Sequence, residues 1–172
     1  MDLRSDDFTL FGLPRRFALD AADLDARWKA LQREVHPDRF AAEGRAAQRL
    51  AMQWAVRVNE AHRRLKDPLA RAAYLCELRG APIDAENNTA MPGDFLVQQM
   101  QWREALDDAG DAAAAGLLAA EVAAERATRY ARVEKLLDAE GDAGGAAREV
   151  RALMFIERFA DDLRERAHPA PQ

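Results

Sequence analysis

The chain is expected to be all-α, on three observations. Alanine is abundant, while 9 Gly and 7 Pro in 172 residues leave long stretches without a helix breaker. Runs of β-branched residues are nearly absent. Apolar side chains recur at three- and four-residue spacing through most of the sequence. With 49% hydrophobic and 32% charged residues, the composition is that of a globular chain rather than a disordered one.

The elements follow in order. "DDFTLFGLP" reads as a short helix stopped by Gly12 and Pro14, with Phe8, Phe11 and Leu13 toward the core. Asp20 is the expected N-cap of "AADLDARWKALQREV". Leu24, Trp28, Leu31 and Val35 fall on one face of that helix. Lys29 and Arg33 lie on the opposite face, and Arg27 on a flank. "HPDRFAAEG" is a break. A third helix is expected from about Glu43 to Lys66, with Ala47, Leu50, Trp54, Val58, Ala61 and Leu65 as its apolar stripe. "KDPLARAAYLCELRG" supplies a fourth, with Asp67 as cap, Pro68 at the first helical position and Gly80 as the stop. Residues 81–93 carry two Pro, two Asn and no periodicity, which reads as a linker. Three more helical patterns, at about 94–109, 113–140 and 145–167, have short Gly-containing connections and suggest a small bundle.

Charge is unevenly spread over the net −5. Residues 1–80 hold 15 Lys and Arg against 12 Asp and Glu, and residues 81–172 hold 10 against 18. A basic half joined to an acidic half suggests two units with different partners. Neither half is basic enough to make nucleic acid the leading partner. The acidic, polar start is unlike a leader peptide, and the longest apolar stretch, "AAAAGLLAA", is too short to span a membrane. Cys76 is the single cysteine, so no internal disulfide or CxxC metal site is available, and a reducing cytoplasm is the expected home.

His36, Pro37 and Asp38 stand together where the second helix must stop. One reading is a plain helix terminator, because Pro37 lacks an N–H and pushes His36 out of the α region. A catalytic His–Asp pair is another. It lacks a nucleophile, since Ser5 is the only serine and Cys76 sits in an apolar helix. Metal binding is weaker, because His36, His62 and His168 have no ligand spacing. No cofactor and no metal are expected.

The surroundings of the tripeptide resemble a J-domain over roughly the first 78 residues. The resemblance is carried by "FTLFGLP", by His36–Pro37–Asp38, and by "VNEAHRRLKDPLARAAYL" with Asn59, Glu60, Ala61, Leu65, Asp67, Pro68, Arg71 and Tyr74. It implies an antiparallel helical hairpin with the tripeptide exposed at its tip. It also implies docking to a DnaK-type chaperone and stimulation of that partner's ATPase, with no enzymatic activity of the chain's own. Pro37 would present His36 and Asp38 at low entropic cost. Arg27, Lys29, Arg33 and Arg39 would meet an acidic partner surface.

Beyond the hairpin, "LQREVHPDRF", "DPLARAAYL", "FLVQQMQWREALDDA" and "RALMFIERF" extend the resemblance over nearly the whole chain, to the HscB-type J-domain co-chaperones of bacterial iron–sulfur cluster assembly. The resemblance implies a J-domain at 1–78, a linker at 79–93 and a client-binding three-helix domain at 94–172. It implies an HscA/DnaK-type ATPase and the scaffold protein IscU as partners. Gln101 departs from the acidic residue common at its position. The residues themselves point to the same client face. On 95–109, Phe95, Trp102 and Leu106 suffice for a core stripe, yet Leu96, Val97 and Met100 form a second apolar side. Phe155 is expected to point off the core side of the last helix. The family's client-binding positions fall on Leu96, Val97, Met100, Gln101, Glu104, Asp108 and Phe155. A J-protein serving a different client, with the bundle as another interaction or dimerisation module, is the alternative.

Overall fold

The computed structural model describes residues 2–168 and 171, and among them it contains helices and turns and no strand. The helices are α1 (Asp7–Leu10), α2 (Ala21–Val35), α3 (Arg45–Lys66), α4 (Pro68–Leu78), α5 (Gly93–Asp108), α6 (Ala112–Glu134) and α7 (Ala143–Ala167). The all-α expectation holds. The chain divides into two compact units, Met1–Leu75 and Cys76–Gln172, and the division falls inside α4.

In the first unit α2 and α3 form an antiparallel hairpin. Asp20 caps α2 by accepting from the amides of Ala22 and Asp23, as its side chain is suited to do. Leu24, Leu31 and Val35 are buried, and they pack against Ala51, Val58, Ala61 and Leu65 of α3. Trp28 is half-buried. Its indole N–H donates to Asn59 Oδ1 at 2.9 Å, and its ring stacks on His62 at 4.1 Å. The α3 stripe is shifted from expectation: Ala51 is buried, whereas Leu50 is 49% exposed. Both border a groove beside Val35 at the end of α2, but a step of one residue turns Leu50 about 100° round the helix from Ala51, toward solvent.

The first helix is held by charge as much as by apolar contact. Asp6 caps it through the amides of Phe8 and Thr9. Burial alone would raise the Asp6 carboxyl, but hydrogen bonds from Thr9 and Arg15 outweigh it and hold it at about 2. Asp7 is fully buried between Arg57 at 2.8 Å and Arg64 at 2.9 Å, and its amide donates to the Tyr74 hydroxyl. Arg71, expected only as a motif residue, donates to the carbonyls of Phe17 and Leu65. These bonds fasten α1 and the 11–20 loop to the hairpin and α4.

The second unit is an antiparallel three-helix bundle. Phe95, Trp102 and Leu106 of α5 are buried, as their spacing predicts, with Leu118, Val122 and Val133 of α6 and Val150, Leu153, Ile156, Phe159 and Leu163 of α7. The last residues of the second long helix wind into a π turn, Lys135–Ala139, before Gly141 reverses the chain at φ +65. Arg129 is 1% exposed and lies between Glu149 and Glu125, each at 3.0 Å, with its guanidinium over the Phe95 ring. Arg132 joins it on Asp94 at 3.2 Å. The 79–93 stretch, expected as linker, is irregular up to α5. Arg151 of α7 secures it by donating to the carbonyls of Pro82, Ile83 and Ala90.

Candidate functional site

The tripeptide sits at the open end of the α2–α3 hairpin. His36 ends α2 in an extended conformation (φ −61, ψ 129), and Pro37 starts a single 3-10 turn, Pro37–Phe40. Both follow from the proline ring, which cannot continue the α2 hydrogen bonds and restricts the residue before it. The turn is internally braced. The Asp38 amide donates to His36 Nδ1 at 3.2 Å, and the Arg39 amide donates to the His36 carbonyl at 3.0 Å. With Nδ1 accepting, the neutral imidazole carries its proton on Nε2, which leaves that N–H for a partner. The Asp38 side chain is 92% exposed and that of His36 54%. The tip therefore presents an imidazole and a carboxylate on a short, internally braced turn.

The basic residues divide into two groups. Lys29, Arg33 and Arg39 are exposed on the tip side of α2 and on the turn. Arg27 is committed elsewhere: it is ion-paired with Asp23 at 3.0 Å and donates to the carbonyls of Phe11 and Gly12, tying α1 to α2. Two recesses flank the hairpin that sequence patterning did not reveal. An apolar groove of about 390 Å³ behind the tip is lined by Val35, Phe40, Ala47, Leu50, Ala51 and Trp54, with Glu34 and Glu43 at its edge. An open cleft of about 490 Å³ along the hairpin is lined by Trp28, Gln32, Asn59, His62, Arg63, Lys66 and Asp67. In that region Asp25 accepts from His62 at 2.7 Å. That bond, helped by Lys66, holds the Asp25 carboxyl below its ordinary range.

In the second unit the outward side of α5 carries an apolar patch. Leu96, Val97 and Met100 are 51, 58 and 68% exposed, and Gln101, Glu104 and Asp108 continue the exposed side. Phe155 corrects one expectation. It is half-buried, not turned off the core: its ring lies 5.7 Å from Phe95 and 5.8 Å from Phe159, with Arg103 above it. The α7 backbone places Phe155 beside α5, so part of its surface completes the bundle.

Among the described residues, neither unit offers a metal centre. No group of three His, Cys, Asp or Glu is arranged to hold a metal ion. Cys76 is buried, and burial pushes its thiol up to about 11, which favours the neutral thiol over the thiolate. No helix of the described residues is long and apolar enough to cross a membrane.

A helical hairpin tipped by an exposed His-Pro-Asp turn, braced by flanking helices and followed by a separate helical bundle, defines a J-domain protein. Residues 91–164 match the family model described as the HSCB C-terminal oligomerisation domain. The co-chaperone protein HscB homologue of Burkholderia multivorans is 54% identical over 166 residues, covering 95% of this chain and 94% of the relative. That of Burkholderia pseudomallei strain K96243 is 52% identical over the same shares. Among solved structures, the chaperone HscB from Vibrio cholerae superposes with TM-score 0.77 at 33% identity, over 94% of this chain and 96% of that one. The human co-chaperone HscB superposes with TM-score 0.85 at 27% identity, over 99% and 86%. The chain belongs to the HscB family of co-chaperones.

Proposed function

We propose that this co-chaperone docks an HscA/DnaK-type chaperone through His36, Pro37 and Asp38, stimulates that partner's ATP hydrolysis, and delivers the scaffold protein IscU during iron–sulfur cluster assembly in the cytoplasm. Residues 1–78 act as the chaperone-facing unit, 79–93 as the connection and 94–172 as the client-facing unit. The observation that carries the reading is the braced, exposed tip: the Asp38 amide holds the His36 ring, and both side chains reach solvent, which suits docking and not turnover of a small substrate. Lys29, Arg33 and Arg39 steer the encounter. Arg27 contributes by fixing α1 against the hairpin. Leu96, Val97 and Met100 form the apolar centre of the client face, with Gln101, Glu104 and Asp108 as its polar border and Phe155 at its inner edge.

The test is single-turnover ATP hydrolysis by a purified HscA-type chaperone, with this chain and IscU added separately and together. Wild type stimulates hydrolysis, and stimulates it further with IscU. His36→Gln and Asp38→Asn remove stimulation while their thermal melts stay at the wild-type value, since exposed loop substitutions rarely cost more than about 0.5 kcal/mol. Normal stimulation by either variant refutes the docking role of the tip. A second role, self-association, is favoured by the description of the family model matched by residues 91–164.

A further inference from the structure

We propose that the outer face of α3 in one copy docks antiparallel on the outer face of α5 in a second copy, setting Arg45, Arg49, Met52 and Val56 against Asp108, Glu104, Met100 and Val97. The matched description speaks of self-association through the C-terminal domain; it does not name a complementary surface or a register.

Both faces are unoccupied stripes opposite the helices' own cores. On α3, Met52 and Val56 are 62 and 57% exposed, and Arg45 and Arg49 are exposed on the same side. The buried Ala51, Val58, Ala61 and Leu65 lie on the other side. At 100° per residue these two sets are close to diametrically opposed. The same holds on α5, where Val97, Met100, Glu104 and Asp108 face away from Phe95, Trp102 and Leu106. Arg45, Arg49, Glu104 and Asp108 form no ion pair with any described residue.

The two stripes match in length and order. Each spans twelve residues, Arg45 to Val56 and Val97 to Asp108, about 16 Å of helix from end to end. Run in opposite directions, they place apolar side chains against apolar ones at one end and arginines against carboxylates at the other. Helix electrostatics strengthen this pairing. The first turn of α3 contains Arg45 and no acid, and the last turn of α5 contains acids and no base. Each is the end at which the helix dipole disfavours that charge. Antiparallel docking brings the two disfavoured ends together and relieves both. The basic balance of the first 80 residues and the acidic balance of the rest carry the same complementarity to longer range.

Every copy carries both stripes, so association stops at a pair where two contacts close and grows where they do not. Because α5 uses the same face here as in the client reading, self-association and scaffold binding exclude each other. The inference itself rests on the exposed charges and not on the scaffold.

The experiment is sedimentation velocity of the full chain alone over a range of concentrations and salt. Wild type associates as concentration rises, and added salt weakens the association. Arg45→Glu with Arg49→Glu, and separately Glu104→Arg with Asp108→Arg, each weaken it by about tenfold or more through like-charge contact. Mixed in equal amounts, the two variants associate again, because both contacts then have opposite charges. Thermal melts of both variants match wild type, as all four positions are exposed. A wild-type chain that stays monomeric to roughly 1 mM, the weak end of specific association, overturns the proposal. So does a mixture that fails to restore association. No scaffold is present in this assay, so its failure is distinguishable from a failure of the client reading, which is measured by IscU titration.

Discussion

Truncating the α5 patch separates client binding from stability, provided Phe155 is treated apart. Leu96, Val97 and Met100 are each more than half exposed, so Leu96→Ala with Met100→Ala removes little packing. Their stability cost is about 0.5 kcal/mol or less each. Phe155→Ala differs. It removes a half-buried ring that touches Phe95, Phe159 and the Arg103 guanidinium. Full truncation of a buried Phe costs about 3–5 kcal/mol, so roughly half of that, about 2 kcal/mol, is expected at this site. For a unit of this size that lowers the melting temperature by roughly 8–16 °C. Interface anchors cost above about 1 kcal/mol each on truncation, so the Leu96/Met100 pair should weaken IscU binding by roughly 30-fold or more. Titration calorimetry with IscU, beside a thermal melt of each variant, measures both quantities. The pair variant should keep the wild-type melt, retain basal stimulation of the ATPase and lose the added stimulation by IscU. Wild-type affinity in a variant with a wild-type melt would remove this face from the client site. A melt lowered by many degrees in the pair variant would show that the patch belongs to the bundle core.

Lys29→Glu with Arg33→Glu should slow association with the ATPase partner and flatten its salt dependence, leaving IscU binding unchanged; the steering argument fails if wild-type association is already insensitive to salt. The Asp6 carboxyl, ordinarily at 3.8, is held at about 2 in the fold, so its contribution to stability is complete above about pH 4 and is lost as pH falls toward 2. Asp6→Asn should therefore melt lower than wild type at neutral pH and show a shallower loss on acidification, and identical acid profiles would exclude Asp6 as a source of acid lability. Arg129→Met leaves the buried Glu149 without its partner at 3.0 Å and should cost about 3 kcal/mol in urea denaturation. Adding Glu149→Leu should recover part of that loss; a single variant as stable as wild type would show that the pair does not hold the bundle.

The sequence alone determined the helices, their caps and the location of the tip. Helix period, Asp20 and Asp67 beside amides they can cap, Pro37 and Pro68 at helix boundaries, and Gly80 in a left-handed turn are local properties, set within a few residues. The tip was legible for the same reason, because a proline after a histidine dictates its own geometry. The outward apolar side of α5 was legible too, since three core residues already satisfied that helix. Only the tertiary structure decided the rest. The phase of α3, where Ala51 and not Leu50 is covered, depends on where α2 ends beside it. The half-burial of Phe155 depends on how α5 crosses α7. Arg27, Arg71, Arg129 and Arg151 look in sequence like surface cations, yet each closes bonds to groups far along the chain. A guanidinium can lie in water or across buried carbonyls and carboxylates. Spacing does not distinguish the two, because the choice depends on whether packing has brought those acceptors within reach.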